Sequence, residues 1–172
     1  DFGPAAAAAG RMAGAVRAVV PGRVIIPSPQ PEQQETAVQP VPLADRSGWG
    51  RKLAEGQFLT TVEIVPPRGV DPARMLEGVH LLKQAGIDGV NVPDGPRAQS
   101  RMGVLATSLL IKQQADIEPV IHYCCRDRNL LGFRRDLLTA AAYGVDHFLF
   151  VYGDAPREGR RAEDLTVRGM ID

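Results

Sequence analysis

The chain has 172 residues with 20 basic and 20 acidic side chains, so its formal net charge is zero; 44% of the residues are hydrophobic and 23% are charged. The length fits one domain with a tail, and the composition is that of a folded globular chain rather than a disordered one. Balanced charge provides no basic field for nucleic acid, no apolar run reaches the roughly 20 residues that span a bilayer, and the two adjacent cysteines, Cys124 and Cys125, form no disulfide framework, so a reducing, cytoplasmic setting is expected.

Residues 5–19 are predicted to form a short helix, because alanine is the strongest helix former and Met12, Val16 and Val19 recur at helical spacing. No basic region precedes the alanine run, so it does not read as a signal peptide. Pro21, Pro27, Pro29, Pro31, Pro40 and Pro42, interleaved with glutamines, then mark residues 21–56 as a linker. Residues 1–20 accordingly read as the tail of an upstream domain. The chain starts at Asp1 and stops at Asp172 without a closing signal, and it is expected to be a piece of something longer.

A different grammar begins at residue 57. Phe58 to Val65 is rich in β-formers and is stopped by Pro66 and Pro67. Asp71 is placed to cap a helix with Pro72 at its first position; Met75, Val79 and Leu82 carry its apolar stripe and Gly86 ends it. Gly89 to Val92 is a second strand, halted by Pro93. Ser100 is the expected cap of a second helix running to about Ala115. Ile117 to Tyr123 is a third strand, Asn129 caps a third helix ended by Gly144, and Asp146 to Tyr152 is a fourth strand.

The order β-α-β-α-β-α-β, with a beat of about 30 residues, implies a parallel sheet with right-handed crossovers. A doubly wound nucleotide fold calls for a glycine fingerprint after its first strand. Here Pro66-Pro67-Arg68-Gly69 follows instead. The fold class is therefore α/β, and residues 57–172 read as the first half of a (β/α)8 TIM barrel: four βα units of a fold that needs about 250 residues.

Active sites of such barrels lie at the C-terminal ends of the strands. On strand one, Thr61, Glu63 and Val65 share one face and Val62 and Ile64 the other. An apolar pair facing the helices leaves Glu63 pointing into the barrel, where an enclosed carboxylate has the properties of a general acid, or pairs with Arg68 or Arg97 to fix the loop. Asp94, in Asp94-Gly95-Pro96, reads as a turn acid. His122 ends strand three and shares a face with Cys124, but no further cysteine exists to complete a zinc set, so no metal is expected. The cysteines read as small apolar fillers. Gly153 permits close approach of a ligand to the backbone, with Asp154 beside it; Arg157, Arg160 and Arg161 beyond can meet phosphate or simply stay solvated.

The string Val62-Glu63-Ile64-Val65-Pro66-Pro67-Arg68, with His122 and Gly153-Asp154-Ala155-Pro156 following in order, resembles the methylenetetrahydrofolate reductase family over about residues 58–172. Val90-Asn91-Val92-Pro93-Asp94 is more similar to the reductase half of bifunctional members that carry an upstream homocysteine S-methyltransferase domain, to which residues 1–20 and the linker would then belong. The resemblance implies a flavin enzyme: FAD across the C-terminal mouth, NADH or NADPH as reductant, and hydride transfer to 5,10-methylenetetrahydrofolate, giving 5-methyltetrahydrofolate for methionine synthesis. It implies that Glu63 is the acid that protonates the folate, and that His122, Tyr152, Gly153 and Asp154 contact the flavin, with Asp154 also meeting the pterin. Two positions depart from the pattern: Tyr152 stands where single-domain members often carry arginine, and Pro93 replaces a flavin-bonding threonine. The later strands of the family's barrel are not in this chain, so the fragment alone is expected to be inactive. Two other readings stay open: an incomplete barrel that serves only as an interaction or homo-oligomer module, its edge strands unpaired, and a barrel enzyme using Glu63 and His122 in other acid–base chemistry.

Overall fold

Four strands, β1 (Thr61–Glu63), β2 (Gly89–Pro93), β3 (Glu118–Cys124) and β4 (His147–Val151), form one parallel sheet in that spatial order. They belong to a computed structural model that describes residues 40–156 and 159–171. The chain divides into two units between Pro40 and Val41, and all that follows concerns the unit beginning at Val41. The helix expected over residues 5–19, the proline- and glutamine-rich run to residue 39, and Arg157 lie outside the described residues.

Helices α1 (Leu43–Arg46) and α2 (Gly48–Ala54) precede the sheet, and α3 (Ala73–Gln84), α4 (Val104–Ala115) and α5 (Leu130–Ala142) alternate with its strands. The consecutive strand order settles the architecture. Right-handed crossovers repeated in one direction place every helix on the same side of the sheet, whereas a doubly wound sheet reverses its order and takes helices on both sides. The described unit is thus an arc of a (β/α) barrel, with one face packed on helices and the other open.

The packed face holds the core. Val90, Val92, Ile121 and Tyr123 are fully buried there, against Leu76 and Val79 of α3, Ile111 of α4, and Phe133 of α5. Burying each aliphatic side chain of this kind contributes about 1.5–3 kcal/mol. Tyr123, Phe133, Phe148 and Phe150 meet edge to face or stacked, with ring centroids 5.6–6.3 Å apart.

Local signals explain most boundaries. The Asp71 carboxylate accepts a hydrogen bond from the Ala73 amide at 2.9 Å at the start of α3, and the Asn129 side chain accepts from Gly132 N at 2.8 Å at the start of α5. Ser100 does not cap α4; that helix starts at Val104 after Gly103. The intervening loop is held instead to the β1 loop, by Met102 N donating to Pro67 O at 2.9 Å and Arg101 Nη1 donating to Pro66 O at 2.9 Å. β1 is shorter than its run of β-formers, and Phe58 is 88% exposed.

Residues 43–46 and 48–54, expected within the linker, are helical, with Ser47 extended between them. The Ser47 hydroxyl accepts from Gly50 N at 3.0 Å and caps α2. Trp49 then fastens α2 to the N-terminal ends of the strands: its indole N–H donates to Asp88 O at 3.1 Å, and its ring stacks on His147 with centroids 4.7 Å apart. Gly89 makes room for that ring, since a Cβ there would lie 2.0 Å from it.

Candidate functional site at the C-terminal ends of the strands

Parallel pairing gathers the C-terminal ends of all four strands on one edge, and register fixes which side chains share the open face. Glu63 pairs with Asn91, Asn91 with Val120 and Val120 with His147. One step toward the C-terminal edge, His122 stands between Pro93 and Leu149; a step further, Cys124 pairs with Val151. Register therefore puts Glu63 and His122 on the same face.

Glu63 is not enclosed. Among the described residues the face it occupies is uncovered, and the side chain is exposed. It makes no ion pair with Arg68 or Arg97; Arg68 instead lies 3.5 Å from the Gln99 side-chain oxygen. His122 is partly buried. Burial lowers its pKa below the usual 6.5, and the negative charge of Glu63 opposes that shift. Leu149 beside it is an apolar side chain left 48% exposed.

The β4 turn packs tightly around Gly153, the residue expected to let a ligand approach the backbone. Gly153 has φ +77°, and a Cβ there would lie 2.1 Å from the Cys124 sulfur. The chain's own packing already requires glycine. The Cys124 thiol donates to Tyr152 O at 3.4 Å, and burial raises its pKa above the ordinary thiol value. Arg161 is spent on the same turn: it donates to Tyr152 O at 2.8 Å and Gly153 O at 3.0 Å, with its guanidinium 3.8 Å from the centre of the exposed Tyr152 ring. Asp154 accepts from Arg97 N at 2.8 Å through Oδ2 and so ties the β4 loop to the β2 loop. That bond holds a segment in which Arg97 and Ala98 both have positive φ, 59° and 54°.

Asp94, expected as a simple turn acid, has its side chain largely covered. It accepts from Cys124 N at 3.2 Å and pairs with Arg128, whose side chain is 17% exposed against 8% for Asp94. Burial pushes the Asp94 carboxyl above its ordinary value, with the guanidinium and the Cys124 amide opposing. Arg128 also reaches Asp136 at 3.2 Å, which accepts from the Tyr123 hydroxyl at 2.7 Å, and it sits 4.4 Å from the Tyr123 ring centre. Sequence reasoning passed over Arg126 and Arg128. The available signal was the triplet Arg126-Asp127-Arg128 directly after the strand-end cysteines. A cavity of about 610 Å³ opens over these loops, lined among others by Asp94, Arg101, Arg126, Arg128 and Arg160.

At the opposite edge, Glu118, Asp146 and His147 bring ligand-type atoms within 4.8 Å of one another. Their partners are local: Glu118 pairs with Lys112 at 2.7 Å and His147 stacks on Trp49. No helix among the described residues is long and apolar enough to cross a membrane.

Residues 49–168 match the family model for methylenetetrahydrofolate reductase. The matched region starts at Trp49 and takes in all four strands and every polar group described at the C-terminal edge. No curated protein matches the chain.

Proposed function

The chain belongs to the methylenetetrahydrofolate reductase family, and from that premise we propose that it contributes the first half of a barrel that reduces 5,10-methylenetetrahydrofolate to 5-methyltetrahydrofolate, with bound FAD and with NADH or NADPH as reductant. Family membership implies oxidoreductase chemistry in one-carbon folate metabolism, on a TIM barrel. The observation that carries the finer reading is the open sheet face, where Glu63 and His122 stand together near the C-terminal ends of the strands.

The residues fit a flavin. His122 and the exposed Leu149 lie side by side, which provides a floor with one polar edge for a flat ring. Asp154 commits Oδ2 to Arg97 N, and its other oxygen has no hydrogen-bond partner among the described residues. In this reading His122, Tyr152, Gly153 and Asp154 would hold FAD, which supplies two-electron redox chemistry when bound. The lowered pKa of His122 keeps it a neutral hydrogen-bonding group at neutral pH. Glu63 supplies the proton to the folate, and its position at the sheet surface leaves it reachable by a substrate laid over that face. Asp154 meets the pterin. An upstream homocysteine S-methyltransferase domain, joined through the segment before α1, and a cytoplasmic location belong to the same proposal. The test is flavin uptake: the full protein, stripped of cofactor and mixed with FAD, is expected to retain a flavin absorbance band after gel filtration. Protein that emerges colourless and cannot be reconstituted would overturn the reading.

One observation favours a second role. Phe58, Val65, Val70 and Leu149 leave apolar side chains 88%, 44%, 94% and 48% exposed in the described unit, and large exposed apolar surface marks contact sites. A chain that works only as a pairing module would form stable oligomers without flavin on gel filtration.

A further inference from the structure

We propose that the cavity over the ends of β2 and β3 is an oxyanion site built around Arg126. That residue is 5% exposed. Its guanidinium lies between two glycines of positive φ that come from different strand ends. A Cβ on Gly95 would lie 2.9 Å from Nη2, and a Cβ on Gly153 would lie 3.4 Å from Nη1. Both positions thus leave space that the cationic head occupies. Among the described residues its single acceptor is the Asp127 carboxylate, 3.4 Å away and 54% exposed. A guanidinium offers five donors, and a buried cation is costly unless closely paired.

The neighbouring charges do not complete the pairing. Asp94 is engaged by Arg128, which also holds Asp136. Arg101 donates to Pro66 O, and its Nε is buried with no acceptor. Arg160, exposed, lines the same cavity. Once the Asp94–Arg128 pair is set aside, the lining holds three arginines against one carboxylate, Asp127, which Arg128 also holds at 3.0 Å. The cavity's volume of about 610 Å³ accepts a phosphate or carboxylate group with part of its parent molecule. Arginine binds either oxyanion through two parallel hydrogen bonds. The source of the oxyanion rests on the reading above: with Gly153 beside a bound flavin, it is either a phosphate of a nucleotide cofactor or a carboxylate of the substrate.

The test is isothermal titration of the full chain with inorganic pyrophosphate and, separately, with glutarate, at fixed ionic strength and with no flavin, nucleotide or folate present. Wild type is expected to bind at least one of them, and Arg126→Met to bind it about tenfold more weakly or worse, with Arg126→Lys intermediate. Arg160→Gln changes an exposed side chain, leaves folding untouched and is expected to weaken the same anion; it decides the matter if Arg126→Met does not fold. Tighter pyrophosphate binding assigns the site to a cofactor phosphate, and tighter glutarate binding to a substrate carboxylate. No binding by wild type, or unchanged affinity in the variants that fold, overturns the proposal. Neither probe is a folate or a flavin, so that failure would leave the reductase reading standing.

Discussion

Glu63 and His122 share the open face of the sheet, two strands apart, and the carboxylate's charge opposes the effect of burial on the imidazole. The folded His122 binds its proton less tightly than the unfolded one. Its contribution to stability is therefore complete above the unfolded value near 6.5 and is lost as pH falls through the folded value. Proton NMR of the chain is expected to place the His122 midpoint below 6.5. In Glu63→Gln the midpoint moves lower still, because the opposing charge is gone. A midpoint that rises or stays put in that variant contradicts the coupling.

Gly153 and Cys124 form a second tight pair. Gly153→Ala places a methyl group where the Cys124 sulfur sits, on a backbone with φ +77°. The left-handed conformation and the overpacking together are expected to cost about 2–4 kcal/mol. Gly144→Ala, also at positive φ but with nothing within 4 Å of the new carbon, bears only the conformational part, about 1–2 kcal/mol. Combining Gly153→Ala with Cys124→Ala relieves the clash, so urea melts of the four proteins in that cycle should show the double variant losing less than the sum. Strict additivity would mean that the sulfur is not what the glycine accommodates.

The beat of strands was legible because β-branched runs end at prolines, Pro66 and Pro93, and because Asn129 carries its own cap signal. The helices at residues 43–54 were not. They are four and seven residues long, too short for an apolar period to show, and what holds them is the reach of Trp49 to Asp88, Gly89 and His147. The site was legible in the same uneven way. Alternation pointed Glu63 away from the helices and paired His122 with Cys124, but that Glu63 and His122 share a face came from the register of three strands. Which acid of the C-terminal loops would be buried depended on Arg128, which is 34 residues from Asp94. The positive φ of Gly153 is a property glycine announces, but the sulfur that fills its space is a tertiary fact.

The Asp94–Arg128 pair anchors the β2 end to the β3 end. Arg128→Met leaves a buried carboxylate without its cation, and the expected loss is about 3–5 kcal/mol. Asp94→Leu combined with Arg128→Met removes both charges and should lose less than the sum of the single variants in chemical denaturation. A loss under about 1 kcal/mol for Arg128→Met, the range of a surface pair, would contradict the burial.

Asp88 holds the other end of the barrel arc. Lys52, together with the Thr60 amide and hydroxyl, keeps its carboxyl at about 2, below the ordinary 3.8. A lowered folded value stabilises above the unfolded pKa, and that stabilisation is lost as pH falls from about 4 toward 2. Asp88→Asn should flatten the acid limb of the stability–pH curve over that window and leave the limb near pH 6 unchanged. An identical acid limb in variant and wild type would show that the three donors do not act on Asp88.

The most direct measurement separates the two half-reactions of the full protein carrying Glu63→Gln. Rapid-mixing absorbance should show reduction of the bound flavin by NAD(P)H at close to the wild-type rate. Reoxidation by 5,10-methylenetetrahydrofolate should fall by about 10²–10⁴-fold, the range for loss of a general acid. Equal loss in both half-reactions, or none in the second, would contradict the role assigned to Glu63 and the placement of the folate on the open face.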